Sequence, residues 1–182
     1  MVYYTQKGCD TMKELLIVVD MQNDFLTGAL GTKEAQEILP ALNEKIRNAE
    51  RVIYTLDTHT DDYLSTQEGQ NIPVEHCMKG TWGHALADGL VQRDDALRIE
   101  KPTFGSVELG QKVRELEKNG EIDSVELIGV CTDVCVITNA LLIKSFCPQL
   151  PVSVDAACCA GVTPQAHETA LAAMRACQVE IK

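Results

Sequence analysis

Residues Val125 to Ala140 read Val-Glu-Leu-Ile-Gly-Val-Cys-Thr-Asp-Val-Cys-Val-Ile-Thr-Asn-Ala. The first half is an apolar run (Val125, Leu127, Ile128, Val130), short enough for a strand buried on both faces of a parallel sheet. The second half changes period, with Val136, Ala140 and Ile143 at helical spacing. Thr132 and Asp133 stand at the junction and are helix N-cap residue types. Cys135 then falls in the first turn of a helix, where free backbone N–H groups and the positive end of the dipole favour an anion. A thiol held there is expected to have a lowered pKa, as a nucleophilic cysteine requires.

Outward from this stretch the same alternation continues. Glu14 to Asp20 is an apolar run closed by an acid, and Gly28 and Gly31 mark a loop after it. Pro40, followed by Leu42, Ile46 and Ala49, predicts a helix with proline in its first turn. Arg51 to Leu56 is a second strand, with Asp57-Thr-His59 just past its end. Residues 60 to 94 are polar and aperiodic, a length of loop uncommon in a compact domain unless it has a function. Leu97 to Lys101 is a short strand stopped by Pro102, and Val107 to Lys118 a charged surface helix ended by Asn119-Gly120. Pro151 to Asp155 is a further strand and Pro164 to Cys177 a last helix.

Alternating strands and helices predict an α/β fold, a Rossmann-like open, mostly parallel sheet with helices on both faces. No Gly-x-Gly-x-x-Gly follows the first strand, so a dinucleotide fingerprint is missing. The 182 residues suit one domain, expected over residues 13–182, with residues 1–12 as an N-terminal extension. A net charge of −11 argues against a nucleic-acid partner. No apolar run nears the roughly 18 to 20 residues that span a membrane. Met1 to Lys13 lacks the apolar core of a signal peptide, so a cytoplasmic location is expected. The eight cysteines (9, 77, 131, 135, 147, 158, 159, 177) are then expected to be reduced and mostly small core residues. Their spacing matches no zinc ribbon, and Cys158 and Cys159, at a strand end, read as structural.

In open parallel sheets ligands bind beyond the carboxyl ends of the strands. Asp20, Asp57 with His59, Lys101 and Cys135 are all read at those ends, and their convergence points to a catalytic cluster. A carboxylate such as Asp20 can take the Cys135 proton, while the Lys101 ammonium steadies the charges. The turn from Gly129 through Cys135 can supply N–H donors to an oxyanion. Asp57, His59 and His76 form a second set, suited to zinc, manganese or iron, with Glu68 a possible fourth ligand. Trp82 could cover a pocket or simply fill space. His167, at helical spacing with Ala170 and Leu171, reads as a helix-face residue.

These residues sit in motifs that resemble the isochorismatase-like cysteine hydrolases, and among them the nicotinamidase-like amidases. The matching pieces are Val18-Val-Asp20-Met-Gln-Asn-Asp-Phe25, Asp57-Thr-His59, Pro73-Val-Glu-His76-Cys, Gly80-Thr, Lys101-Pro-Thr-Phe104 and Gly129-Val-Cys-Thr-Asp-Val-Cys135. The resemblance spans nearly the whole domain, from about Leu15 to the end. The resemblance implies an Asp20–Lys101–Cys135 triad, a cis peptide at Val130–Cys131, and an oxyanion hole from the N–H groups of Cys131 and Cys135. It maps a divalent metal, zinc foremost, onto Asp57, His59 and His76. It implies a small-molecule amide substrate, nicotinamide first, hydrolysed to nicotinate and ammonia as a step in recycling NAD. It also implies a homo-oligomer. Phe25 matches a ring-contacting aromatic of that branch, whereas Ile72 stands where an aromatic is usual. Another small amide, carbamate or ureide is therefore the alternative substrate. An isochorismatase or a non-catalytic binding relative fits less well, because the triad and the metal set are both intact.

Overall fold

The computed structural model describes residues 13–182; the extension expected over residues 1–12 lies outside them. The apolar runs become strands because both faces of each are covered. β1 (Glu14–Val19), β2 (Arg51–Asp57), β3 (Leu97–Lys101), β4 (Ser124–Val130), β5 (Val152–Ala160) and β6 (Glu180–Ile181) form one sheet in the order β3-β2-β1-β4-β5-β6. Every strand pairing is parallel. The expected α/β architecture is therefore present.

The connecting helices are α1 (Asn23–Leu26), α2 (Lys33–Glu37), α3 (Leu39–Asn48), α4 (Gln67–Asn71), α5 (Val107–Lys118), α6 (Ile137–Phe146) and α7 (Pro164–Ala176). Successive β1 residues point to opposite faces, as a pleated strand requires. Leu15, Ile17 and Val19 join Leu109 and Val113 of α5, Ala140 and Ile143 of α6, and Leu171 and Met174 of α7. Leu16 and Val18 join Ala35 of α2 and Leu42 and Ile46 of α3 on the other face. Each fully buried Leu, Ile or Val contributes about 1.5–3 kcal/mol, so these two layers hold the strand ends rigidly in register. Ser106 and Thr163 cap α5 and α7 by accepting from Leu109 N and Ala166 N, both at 3.1 Å.

The sequence reading differs from this fold in five places. β5 runs on to Ala160, so Cys158 and Cys159 lie inside the strand and not past its end. Residues 60 to 94 are expected as loop, yet they contain a 3₁₀ turn at Tyr63–Ser65 and α4. α1 and α2 occupy the expected glycine loop after β1, and β6 is too short, at two residues, to show a period. Thr132 and Asp133 do not cap a helix. A wider turn covers Thr132–Val136, with Cys131 at its start and no side-chain cap.

The long connection after β2 is ordered by three consecutive side chains that follow β1. Gln22 Nε2 donates to Asp57 O and His84 O, both at 2.8 Å, and Gln22 Oε1 accepts from Asp57 N at 2.8 Å. Asn23 donates to Trp82 O at 2.9 Å and accepts from Asp88 N at 2.8 Å. Asp24 Oδ2 accepts from Cys77 N at 2.8 Å. Gly83 packs so closely that a Cβ there would lie 2.0 Å from Asp24 Oδ2. The loop thus finds side-chain partners for backbone groups that no strand satisfies. No described helix is long and apolar enough to cross a membrane.

Candidate active site

Strand order reverses between β1 and β4, the switch point where open parallel sheets bind ligands. Asp20 follows β1, Asp57 ends β2, Lys101 ends β3, and Cys135 lies in the turn after β4. Gly129 lets β4 approach β1 here: its φ is +119°, and a Cβ would stand 2.2 Å from Val19 O. The Val130–Cys131 peptide is cis. Val134 N and Val136 N both donate to Cys131 O at 3.1 Å, which makes the first turn wider than an α-helix. Groups at such a start have N–H donors without intrahelical partners.

Two contacts fix this turn, one from α7 and one from the loop before it. The Thr132 hydroxyl, fully buried, meets His167 Nδ1 at 2.8 Å, and Asp133 Oδ1 accepts from Val162 N at 2.9 Å. Asn139 adds a third, donating to Cys135 O at 2.8 Å while its Oδ1 accepts from Ser106 N at 2.9 Å. His167 is on a helix face as read, and it has a partner on the Cys135 turn that spacing alone does not reveal.

Lys101, buried, joins the acid, the thiol and the second set. Its Nζ lies 2.7 Å from Asp20 Oδ2, 3.3 Å from Asp57 Oδ1, 3.4 Å from Cys135 Sγ and 3.2 Å from Thr103 O. Asp20 Oδ1 accepts from the Thr55 hydroxyl at 2.7 Å. Its Oδ2 takes no further partner among the described residues. Asp20 also adopts φ +49°, a left-handed conformation that costs a non-glycine residue energy and recurs at functional sites.

Burial raises the Asp20 carboxyl above the ordinary carboxylate range, although Lys101 pulls it back. Burial works against charge on Lys101 too, but Asp20, Cys135 and Asp57 outweigh it, and the ammonium is held. The Cys135 thiol moves well above its ordinary value, first through burial and then through the facing Asp20 carboxylate. This overturns the lowering expected from its helix-start position. The dipole and Lys101 act in the expected direction, but desolvation and a neighbouring negative charge are larger. Both groups are thus harder to ionise than in water, and Lys101 is the charge that offsets either anion.

Asp57, His59, Glu68 and His76 bring one donor atom each within 4.8 Å of one another. His59 Nε2 is 2.9 Å from Asp57 Oδ2 and 3.7 Å from Glu68 Oε1. His76 Nε2 is 3.5 Å from Asp57 Oδ2 and 3.8 Å from Glu68 Oε1. Donors about 2.0–2.2 Å from a common ion stand about 3–3.5 Å apart, so these residues could hold a divalent metal once the wider pairs draw in. His76 Nδ1 meets Val74 O at 2.8 Å, which turns Nε2 towards Asp57 and Glu68. Burial opposes the Asp57 charge, but hydrogen bonds from both histidines and then Lys101 bring its carboxyl well below the usual range.

A cavity of about 520 Å³ opens beside this set, lined by His59, Glu68, Ile72, Pro102, Thr103 and Phe104 among others. Ile72 lies on it. Phe25 is buried behind, its ring 5.7 Å from that of His76. Trp82 is not on this cavity; it is 54% exposed and donates to Asp88 at 3.1 Å. Sequence reading missed Thr55, Gln22, Phe104 and Tyr63, whose ring packs at 4.6 and 5.1 Å on His59 and His76. The polar triple Gln22-Asn23-Asp24, directly after a buried strand, was the signal available for one of them. A larger cavity of about 580 Å³ lies between α3 and the sheet. Lys45 spans its acids at 2.6 Å from both Glu126 and Asp155, and none of the thiol-cluster or metal-type residues lines it.

Fold and site together define a doubly wound α/β protein with a buried Asp–Lys–Cys cluster at its switch point and a metal-type donor set beside it. The isochorismatase domain matches residues 14–181, and the chain belongs to the isochorismatase family. It is similar to the nicotinamidase of Saccharomyces cerevisiae, 25% identical over 171 residues that cover 69% of this chain and 79% of that one. The nicotinamidase/pyrazinamidase of Mycobacterium tuberculosis is 28% identical over 91% of this chain and 96% of its own. Among solved structures, pyrazinamidase of Pyrococcus horikoshii in complex with zinc superposes with a TM-score of 0.79 at 30% identity. It covers 93% of this chain and 98% of that one.

Proposed function

We propose that the protein is a metal-assisted cysteine amidohydrolase that releases ammonia from a small heteroaromatic carboxamide, nicotinamide being the first candidate. The observation that carries this reading is the position of Lys101 Nζ, within 3.4 Å of both Asp20 and Cys135 and 3.3 Å from Asp57. The nicotinamidase and pyrazinamidase relatives support the substrate class.

Asp20 Oδ2, free of other partners among the described residues, takes the proton from Cys135 as the sulfur attacks the amide carbon. The N–H groups of Cys131 and Cys135 face the developing oxyanion. Asp20 then passes the proton to the departing nitrogen, ammonia leaves, and an acyl thioester remains on Cys135. Water attacks the thioester with Asp20 again as base, which gives the carboxylic acid and restores the thiol. Lys101 stays charged throughout and offsets the negative charge that moves between acid, sulfur and oxygen. Asp57, His59, His76 and Glu68 would hold a divalent ion such as zinc, which supplies a Lewis-acid anchor for a ring nitrogen or water and so orients the substrate.

The test is ammonia release from nicotinamide with zinc, with manganese and after chelation, beside Cys135→Ala. Turnover that drops about 10⁴-fold or more in the variant, and falls on chelation, supports the nucleophile and the metal together. Turnover that survives in Cys135→Ala would sink the mechanism.

A further inference from the structure

The 520 Å³ cavity has both polar and apolar lining. Its polar lining includes His59, Glu68 and Thr103, whose carbonyl accepts from Lys101 Nζ at 3.2 Å. Lys101 Nζ is in turn 3.4 Å from Cys135 Sγ, so the cavity lies one residue out from the reacting atoms. Its apolar lining is Ile72, at the end of α4, and Phe104, in the loop after β3, with Pro102 between β3 and Phe104. Ile72 is 38% and Phe104 39% exposed, although both are large and apolar.

Two other polar residues of the lining are engaged with the chain itself. The Thr66 hydroxyl donates to Tyr63 O at 2.7 Å and accepts from Gly69 N at 3.0 Å. Asn71 Nδ2 donates to Gln67 O at 2.9 Å. The cavity thus combines polar groups with an apolar wall of Ile72, Pro102 and Phe104. Its volume falls in the range of about 300–1,000 Å³ typical of pockets that enclose drug-sized ligands, far more than a one-ring amide fills.

We infer that the substrate is a heteroaromatic carboxamide larger than a single ring, fused or carrying an apolar substituent. Its carboxamide reaches Cys135 and its distal apolar part lies on Ile72 and Phe104. The inference rests on the amidohydrolase reading above and makes Phe104 a specificity-determining residue. A tenfold preference, equivalent to 1.4 kcal/mol, needs only about 55 Å² of apolar surface covered.

The test compares nicotinamide with quinoline-3-carboxamide as substrates of the zinc-loaded protein, Phe104→Ala and Ile72→Ala. In parallel, calorimetry measures binding of both amides to Cys135→Ala. The expected kcat/KM for the bicyclic amide is at least tenfold higher, mostly through KM, with tighter binding in the calorimeter. Each variant brings the ratio of the two substrates towards one. A ratio at or below one in the unsubstituted protein, or one unmoved by both variants, overturns the inference and leaves the hydrolase reading standing. Failure of both amides to release ammonia overturns the two together.

Discussion

The thiol cluster and the metal-type set touch through Lys101 and Asp57, yet they are held by different means. Asp20, Lys101 and Cys135 are positioned by strand ends and by the wide turn after β4, and all three are buried. Three of the four metal-type donors, His59, Glu68 and His76, come from the long connection after β2, which Gln22, Asn23 and Asp24 pin in place. The first half is a consequence of the sheet. The second is built on the sheet by side-chain hydrogen bonds, so the two should fail separately.

Asp20→Asn is the largest break on the thiol side. Loss of the base should cut ammonia release about 10²–10⁴-fold. The same change removes a negative charge that raises the Cys135 thiol, so the pH midpoint of its alkylation by iodoacetamide should fall. Faster alkylation with slower turnover would separate the role of Asp20 as base from its effect on thiol acidity. An alkylation midpoint that stays or rises would mean that the Asp20 carboxylate does not hold the thiol protonated.

Lys101→Met tests the joint between the halves. It leaves the Asp20 and Asp57 carboxylates buried without their cation. Removing one partner of a buried pair costs about 3–5 kcal/mol, to be read in the urea midpoint at constant slope. A loss below about 1 kcal/mol would mean that the ion pair is not what holds β1, β2 and β3 together at their ends.

Gln22→Ala should break the metal side alone. It strands Asp57 N and leaves Asp57 O and His84 O without a donor, at about 3 kcal/mol. Because Gln22 orients a donor residue without being one, zinc affinity measured by chelator competition should fall about 10–100-fold. The alkylation rate of Cys135 should not follow it.

The same contrast explains what the sequence could reveal. Leu15 to Val19 and Val125 to Val130 are legible because a strand covered on both faces is a continuous apolar run. The acid after one and the cysteine after the other then locate themselves, and Lys101 is marked by Pro102. Asp57 and His59 share that legibility, while His76 and Glu68 needed chemistry, since residues 60 to 94 have no period. Gln22 was invisible as a support because its role depends on where a distant loop returns. Phe104 was hidden because its exposure follows from the turn after β3. The acidity of Cys135 was misjudged because local position gives the dipole, whereas burial and the nearness of Asp20 are properties of the assembled fold.

The two halves should also set opposite limits in pH. Burial and then Asp20 push the Cys135 thiol up in the fold, whereas an unfolded cysteine ionises near about 8.5. Above that pH the native state binds more protons than the unfolded one, so stability falls as pH rises, by up to about 1.4 kcal/mol per unit for each such thiol. Asp57 behaves in the reverse sense. Its carboxyl is held below the unfolded value of about 3.9, so the stability it contributes is complete above that value and is lost as pH falls towards the folded one. Urea titrations of metal-free protein across pH should therefore show Cys135→Ala flattening only the alkaline limb and Asp57→Asn only the acid limb. If either substitution changed both limbs equally, the two halves would be one electrostatic unit, and the separation drawn from how each is held would fail.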